Sequence, residues 1–146
     1  MTHDFKRFPE LSNAQMNFYY WESPHQQIAE DFWATVVKVI DGDTINVECD
    51  FRDFAFPIRF SNILAAELNE EGGRESQRWL EREILGEEVE IKVNPNNRVE
   101  KWGRLLGQVS HLGFDMGEQS KSLNFSINLD EEQNLIPDLI IKEMIL

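Results

Sequence analysis

Five short runs with strand character, interrupted once by a stretch of helical spacing, leave this chain few folds to choose from. Residues 35–40 (TVVKVI) are rich in β-branched side chains, which pack well on a pleated surface. Asp41-Gly42-Asp43 is a tight-turn signal, and residues 44–49 (TINVEC) read as the return strand. Residues 54–63 form a third run with Phe56, Ile58 and Phe60 on one face. Pro57, which cannot donate to a ladder, marks an edge or a bulge in it. Gly72-Gly73 breaks the chain, and residues 74–85 follow as a helix that ends at Gly86, with Trp79, Leu80, Ile84 and Leu85 as its apolar side. Residues 88–93 alternate, with Val89, Ile91 and Val93 inward, before an Asn94-Pro95-Asn96-Asn97 turn. Residues 105–111 are the fifth run, and 115–123 a short helix that Asp115 can cap. Strand, strand, strand, helix, strand, strand, helix suits a small, partly open barrel.

The 146 residues are enough for one domain, and 41% hydrophobic content with ten Phe and four Trp supplies its core. The expected organisation is an arm at 1–31, a barrel domain at 32–126 and a tail at 127–146. The arm carries an aromatic cluster, Phe18-Tyr19-Tyr20-Trp21, and a short helix between Pro9 and Asn17. Ser23-Pro24 interrupts it, since the residue before proline avoids helical backbone. The tail is acidic at Asp130-Glu131-Glu132, then apolar through Ile145 and Leu146. A lone cysteine, Cys49, excludes an internal disulfide and any zinc site of the four-cysteine or Cys2His2 type. No apolar run resembles a signal peptide or approaches the ~20 residues that span a bilayer. The expectation is a protein without membrane contact, cytoplasmic or part of a particle.

A net charge of −13 opposes nonspecific wrapping of nucleic acid. Between Lys92 and Arg104 the balance reverses, with Lys92, Arg98, Lys101 and Arg104 against Glu100 alone. Arg74, Arg78 and Arg82 form a second basic stripe at helical spacing, and the simplest reading is a solvated face paired to Glu75 and Glu81. His3, His25 and His111 form no ligand pattern.

The order DGDT at 41–44, an arginine at 59, a glutamate eight residues later and KWGR at 101–104 resembles the staphylococcal nuclease (thermonuclease-like) family over residues 34–125. The resemblance implies a mainly β fold with α: a five-stranded OB-fold barrel with one or two packed helices. It also implies a phosphodiesterase. Asp43 would be a calcium ligand, Arg59 would hold the phosphate, and Glu67 would be the general base. Arg104 would be the second phosphate clamp and assist the leaving group. Lys101 and Trp102 would contact a terminal phosphate and flank a nucleotide. Single-stranded DNA or RNA would be the partner.

The chain departs from the family at Leu64, where a second calcium carboxylate is usual, and at Ala66, where a proline normally stiffens the loop before the base. Calcium seeks about 6–8 oxygens, and Leu64 offers none, so calcium binding is expected to be weak. Local alternatives stand beside each role. Asp-Gly-Asp is also an ordinary hairpin turn, Arg59 can pair with Glu67, and Arg104 with Glu48 or Glu100. Two functions follow: a weak divalent-cation-dependent nuclease, or a catalytically impaired structural barrel docked in an assembly such as a virion. The second would meet a protein partner or a second copy through the arm or the tail, one of which is expected to be buried.

Overall fold

A computed structural model describes residues 3–129. The expectations for the tail from residue 130 onward lie outside the described residues.

Five strands close into a barrel. They are β1 (Phe32–Asp41), β2 (Thr44–Cys49), β3 (Arg52–Phe60), β5 (Glu88–Lys92) and β6 (Leu105–His111). Neighbours pair antiparallel in the order β3-β2-β1-β5-β6, and a parallel pairing of β3 with β6 shuts the ring. The fold is therefore mainly β with α, as the strand pattern and the resemblance both imply. Alternation explains the core. Val36, Ile45, Val47, Ile58, Phe60, Ile91 and Val109 all point inward and are fully buried, and each contributes on the order of 1.5–3 kcal/mol by leaving water.

Two expected strands differ from those observed. The first begins earlier, at Phe32, because Phe32 and Ala34 continue the buried alternation while pairing with Ile91 and Val89 of β5. The expected third strand is split. β3 ends at Phe60, and β4 (Ile63–Ala65) leaves the barrel to pair with β8 (Ser126–Asn128). At Pro57 β3 is paired only to β2, with β6 joining from Ile58 onward, so the missing donor falls where the strand has one neighbour.

Helix α2 (Gly73–Ile84) lays Ser76, Trp79, Leu80 and Ile84 against the barrel. Gln77 on the same helix donates to the carbonyls of Val39 and Ile40 at 3.1 and 3.2 Å, beside a register shift in β1. A short β7 (Phe114–Asp115) leads into α3 (Met116–Ser122), whose cap is the Asp115 carboxylate accepting from the Glu118 N–H at 2.9 Å. No helix among the described residues is long and apolar enough to cross a membrane.

The arm lies on the barrel. Its helix α1 (Asn13–Tyr19) begins four residues later than the sequence suggests, because Ser12 and Gln15 form a reciprocal capping box. What fastens the arm is not its aromatic cluster, since Phe18, Tyr20 and Trp21 are exposed. Glu10, Leu11 and Ile28 are buried instead. The Glu10 carboxylate accepts from Arg52, from Arg98 at 2.8 Å and from the Ile28 N–H at 3.1 Å. Arg98 also donates to the carbonyls of Ile28 (2.6 Å) and Leu11 (2.8 Å). Arg52 lies over the rings of Phe54 and Phe56, 5.1 and 4.4 Å from their centroids. These π faces receive a cation whose Nε and Nη1 have no hydrogen-bond acceptor among the described residues.

Candidate active site at the barrel rim

The β1–β2 turn, the end of β3 and the start of β6 meet at one rim. In the hairpin Asp41 pairs with Thr44, and across the next ladder Thr44 pairs with Arg59. This register sets Arg59 beside the turn that carries Asp43. The Phe60 N–H donates to the Asp43 carbonyl at 2.8 Å and locks the arrangement. Gly42 is required by space: a side chain there would run into the Ser76 hydroxyl of α2. The turn is thus pressed between barrel and helix.

Asp43 is 5% exposed and its carboxylate is engaged on both oxygens. Oδ1 accepts from the Thr44 hydroxyl at 3.1 Å. Oδ2 accepts from the Ala65 N–H at 2.9 Å and lies 3.3 Å from Arg59. Burial pushes its pKa up from 3.8 to about 6, and the neighbouring Asp41 adds to the rise, while Arg59 and the Ala65 N–H oppose it. Asp41 shapes the turn, its Oδ1 accepting from the Asp43 N–H at 3.0 Å.

Arg59 is also held. Its Nη1 donates to the carbonyls of Phe60 (2.6 Å) and Ile63 (2.9 Å), so much of its fork faces the backbone. Burial lowers its pKa, partly countered by Asp43. Arg104 is the more open of the two, with its side chain 32% exposed. Glu100, one of its two expected alternatives, pairs with it at 3.2 Å and also accepts from its backbone N–H at 2.9 Å. Its Nη1 reaches the Thr44 hydroxyl at 3.4 Å, which links it to the Asp43 turn.

Glu67 stands apart from this group. It is exposed, lines an adjoining cavity of about 530 Å³, and its side chain makes no ion pair or hydrogen bond among the described residues. The alternative pairing of Arg59 with Glu67 is therefore not made; Arg59 pairs with Asp43. The Glu67 loop is nonetheless positioned. A side chain on Gly73 would collide with the Glu67 carbonyl, and Gly72 takes φ +83° to deliver the helix start beneath it. The Glu67 N–H donates to Glu70 at 2.8 Å. Glu70, Glu71 and Glu75 line the same cavity.

Leu64 is 45% exposed and pairs in register with Ile127. The donors present do not build a calcium cage. Leu64 supplies no oxygen, both Asp43 oxygens are engaged, and among the described residues no three His, Cys, Asp or Glu side chains cluster for a metal. Lys101 and Trp102 lie on the loop just before Arg104, with the ammonium 5.1 Å from the indole centroid. Arg74, Arg78 and Arg82 are exposed, and none pairs with Glu75 or Glu81, contrary to the simplest reading of that stripe.

Over 82 residues the chain is 38% identical to a protein described as an uncharacterized endonuclease from Escherichia coli, and to one of the same description from Escherichia coli O157:H7. The match covers 56% of this chain and 50% of each relative, so the chain spans about half the length of the curated relatives it matches. No protein-family model matches the chain.

Proposed function

We propose that the protein is a nuclease of the staphylococcal type, hydrolysing phosphodiester bonds in single-stranded DNA or RNA at the rim that holds Asp43, Arg59 and Arg104. The observation that carries this reading is the meeting of three separated sequence motifs at one place. Arg104 faces outward and neutralises the phosphate, while Arg59 backs the same rim. As the water oxygen bonds to phosphorus, Glu67, which lies on the adjoining loop rather than on the rim itself, is the residue that takes its proton. As the bond from phosphorus to the leaving oxygen breaks, its electron pair stays on that oxygen, where Arg104 stabilises the charge. The identity with proteins described as endonucleases supports the same class. A divalent cation would take most of its oxygen shell from water and substrate, so calcium alone should bind weakly, near the 10⁻⁴–10⁻³ M end of the known range.

The test is cleavage of single-stranded DNA by purified protein with and without divalent cation, beside Glu67→Gln. The substitution should lower the rate about 10²-fold or more. Full activity in Glu67→Gln would remove the base from the scheme.

One observation favours the second reading, a barrel retained as a scaffold or interaction protein. Asp43 is fully partnered by Thr44, Ala65 and Arg59, and an exposed leucine stands where a ligand is usual. An inert wild type that gains cleavage on Leu64→Asp would establish this reading against the first.

A further inference from the structure

The loop that carries Arg104 is tightly drawn. The Leu106 N–H donates to the Arg98 carbonyl at 2.8 Å, Val99 bridges to Leu105, and the Glu100 N–H donates to the Arg104 carbonyl at 2.9 Å. At the tip the Gly103 N–H donates to the Glu100 carbonyl at 2.9 Å, and Gly103 takes φ +85° to turn the chain into Arg104. These bonds bring the Glu100 side chain onto Arg104. Its Oε1 accepts from the Arg104 backbone N–H at 2.9 Å and from Nε at 3.2 Å, and its Oε2 accepts from Nη2 at 3.2 Å. Thr44 takes Nη1 at 3.4 Å. A guanidinium carries its N–H donors on a rigid planar fork. With Nε, Nη1 and Nη2 each directed onto a fixed acceptor, the aim of the N–H groups left over is fixed with them.

The arm grips this loop at its base and at its tip. At the base, buried Glu10 and the Leu11 carbonyl hold Arg98. At the tip, Phe8 covers Gly103 so closely that a β-carbon there would lie 2.7 Å from its ring. Phe8 is itself anchored. Its N–H donates to the Asp4 carbonyl at 2.9 Å, and its own carbonyl is bonded by the His3 ring at 2.7 Å. The carbonyl of Pro9 accepts from Gln27 at 2.9 Å, and Glu10 beyond it is locked between Arg52 and Arg98.

Fastening the arm to the barrel needs only the cluster at the base. The contact at the tip does something else, because it bears on the residue just before Arg104. The arm also lies outside residues 34–125, over which the resemblance runs, so the resemblance assigns it no role.

We propose that the arm is a positioning element of the rim: Phe8, seated on Gly103, sets the tip of the 99–104 loop, and Glu100 carries that setting to the Arg104 guanidinium. This rests on the reading of Arg104 as the group that receives the phosphate. Phe8 and Glu100 act through Arg104 and touch no substrate.

The experiment is a double-mutant cycle between Phe8 and Arg104 in the full chain. It is read by kcat and KM for cleavage of single-stranded DNA, and by exchange of the Arg104 Nε–H with solvent in nuclear magnetic resonance. Misplacing a group by about 1 Å can cost about 10²-fold, so Phe8→Ala should lower kcat about 10- to 100-fold and raise KM less. In an Arg104→Ala background the same substitution should change kcat by less than about 2-fold, because residues acting through one group are not additive. Glu100→Ala should behave as Phe8→Ala does in both backgrounds. Phe8→Tyr keeps a ring over Gly103 and should restore most of the rate. Ser12→Ala is the control for a weakened arm: it removes the cap of α1, leaves the loop contacts in place, and should keep kcat within about 2-fold of wild type. Full kcat in Phe8→Ala, or an equal loss in both backgrounds, overturns the proposal. The Nε–H donated to Glu100 should exchange at least about 10-fold faster in Phe8→Ala and unchanged in Ser12→Ala. An unchanged rate in Phe8→Ala overturns the proposal whether or not the protein cleaves. Faster exchange in a protein that cleaves nothing keeps the arm's hold on Arg104 and removes the nuclease reading instead.

Discussion

Glu10 and Asp43 are both buried carboxylates beside arginines, and they do opposite things. Glu10, 2% exposed, sits between Arg52 and Arg98 and joins an arm to a barrel. Its partners come from positions 42 and 88 residues away. Asp43 is nearly as buried, but it lies on a turn beside a half-open arginine, and its proton affinity is raised. In the first cluster two cations share one anion, so its charge is well compensated. In the second, Asp41 stands beside Asp43, so burial is less well compensated. Burial alone thus does not mark a site. A carboxylate with an acidic neighbour, a turn and an exposed cation does.

The largest expected effect belongs to the first cluster. Removing one member of a buried ion cluster leaves uncompensated charge and costs about 3–5 kcal/mol. Glu10→Ala should lower unfolding stability in urea by that amount, leaving two buried arginines without their carboxylate. A loss below about 1 kcal/mol would show that the arm is not held there.

Arg104 should behave in the reverse manner. Arg104→Ala should reduce cleavage by about 10²–10³-fold, as removal of a charge-stabilising donor does, while changing stability by less than about 1 kcal/mol, because its ion pair is half open to solvent. Loss of stability with no loss of activity would make it a second structural clamp.

Asp43 sharpens the contrast through pH. Its folded pKa of about 6 lies above the ordinary 3.8. The native state therefore holds this proton more tightly than the unfolded chain. Its stabilising contribution is complete below about pH 3.8 and is lost as the pH rises through about 6. The rise from 3.8 to about 6, at 1.36 kcal/mol per unit, is on the order of 3 kcal/mol. Asp43→Asn cannot titrate, so the stability difference between the two proteins should move in the variant's favour by up to that amount between pH 4 and 7. Parallel pH profiles would mean the carboxyl is not buried as described.

A smaller effect is expected at Leu64. Leu64→Asp should tighten calcium binding by about 10-fold in calorimetry, since affinity follows the count of carboxylates. An unchanged affinity would place residue 64 outside any coordination sphere. Smallest of all is Arg78→Ala. The side chain is exposed and without an ion pair, so the change in stability should stay within about 0.5 kcal/mol.

The two clusters also differ in how far they can be read from sequence. The strands at 44–49 and 105–111 are visible in full because local alternation and flanking turns define them. The Asp43–Arg59–Arg104 rim is visible because each member sits in a short motif whose register follows from strand pairing. The end of β3 is less legible. Phe60 and Ile63 look like one apolar run, and only a partner far along the chain, Ser126–Asn128, pulls β4 aside. The Glu10 cluster leaves no local signature at all. Nothing near Glu10 announces Arg52 or Arg98, and the exposed aromatic cluster beside it draws attention to the wrong residues.

The pairing of β4 with β8 has a further consequence in time. A ribosome makes residues 63–67 long before it makes 126–128. Until that late strand emerges, the loop bearing Glu67 has its Gly73 contact but not its β partner. The barrel strands, complete by His111, can close earlier. The order of synthesis therefore separates acquiring a fold from acquiring the geometry around Glu67. The geometry around Glu67 thus depends on a strand encoded after the whole barrel.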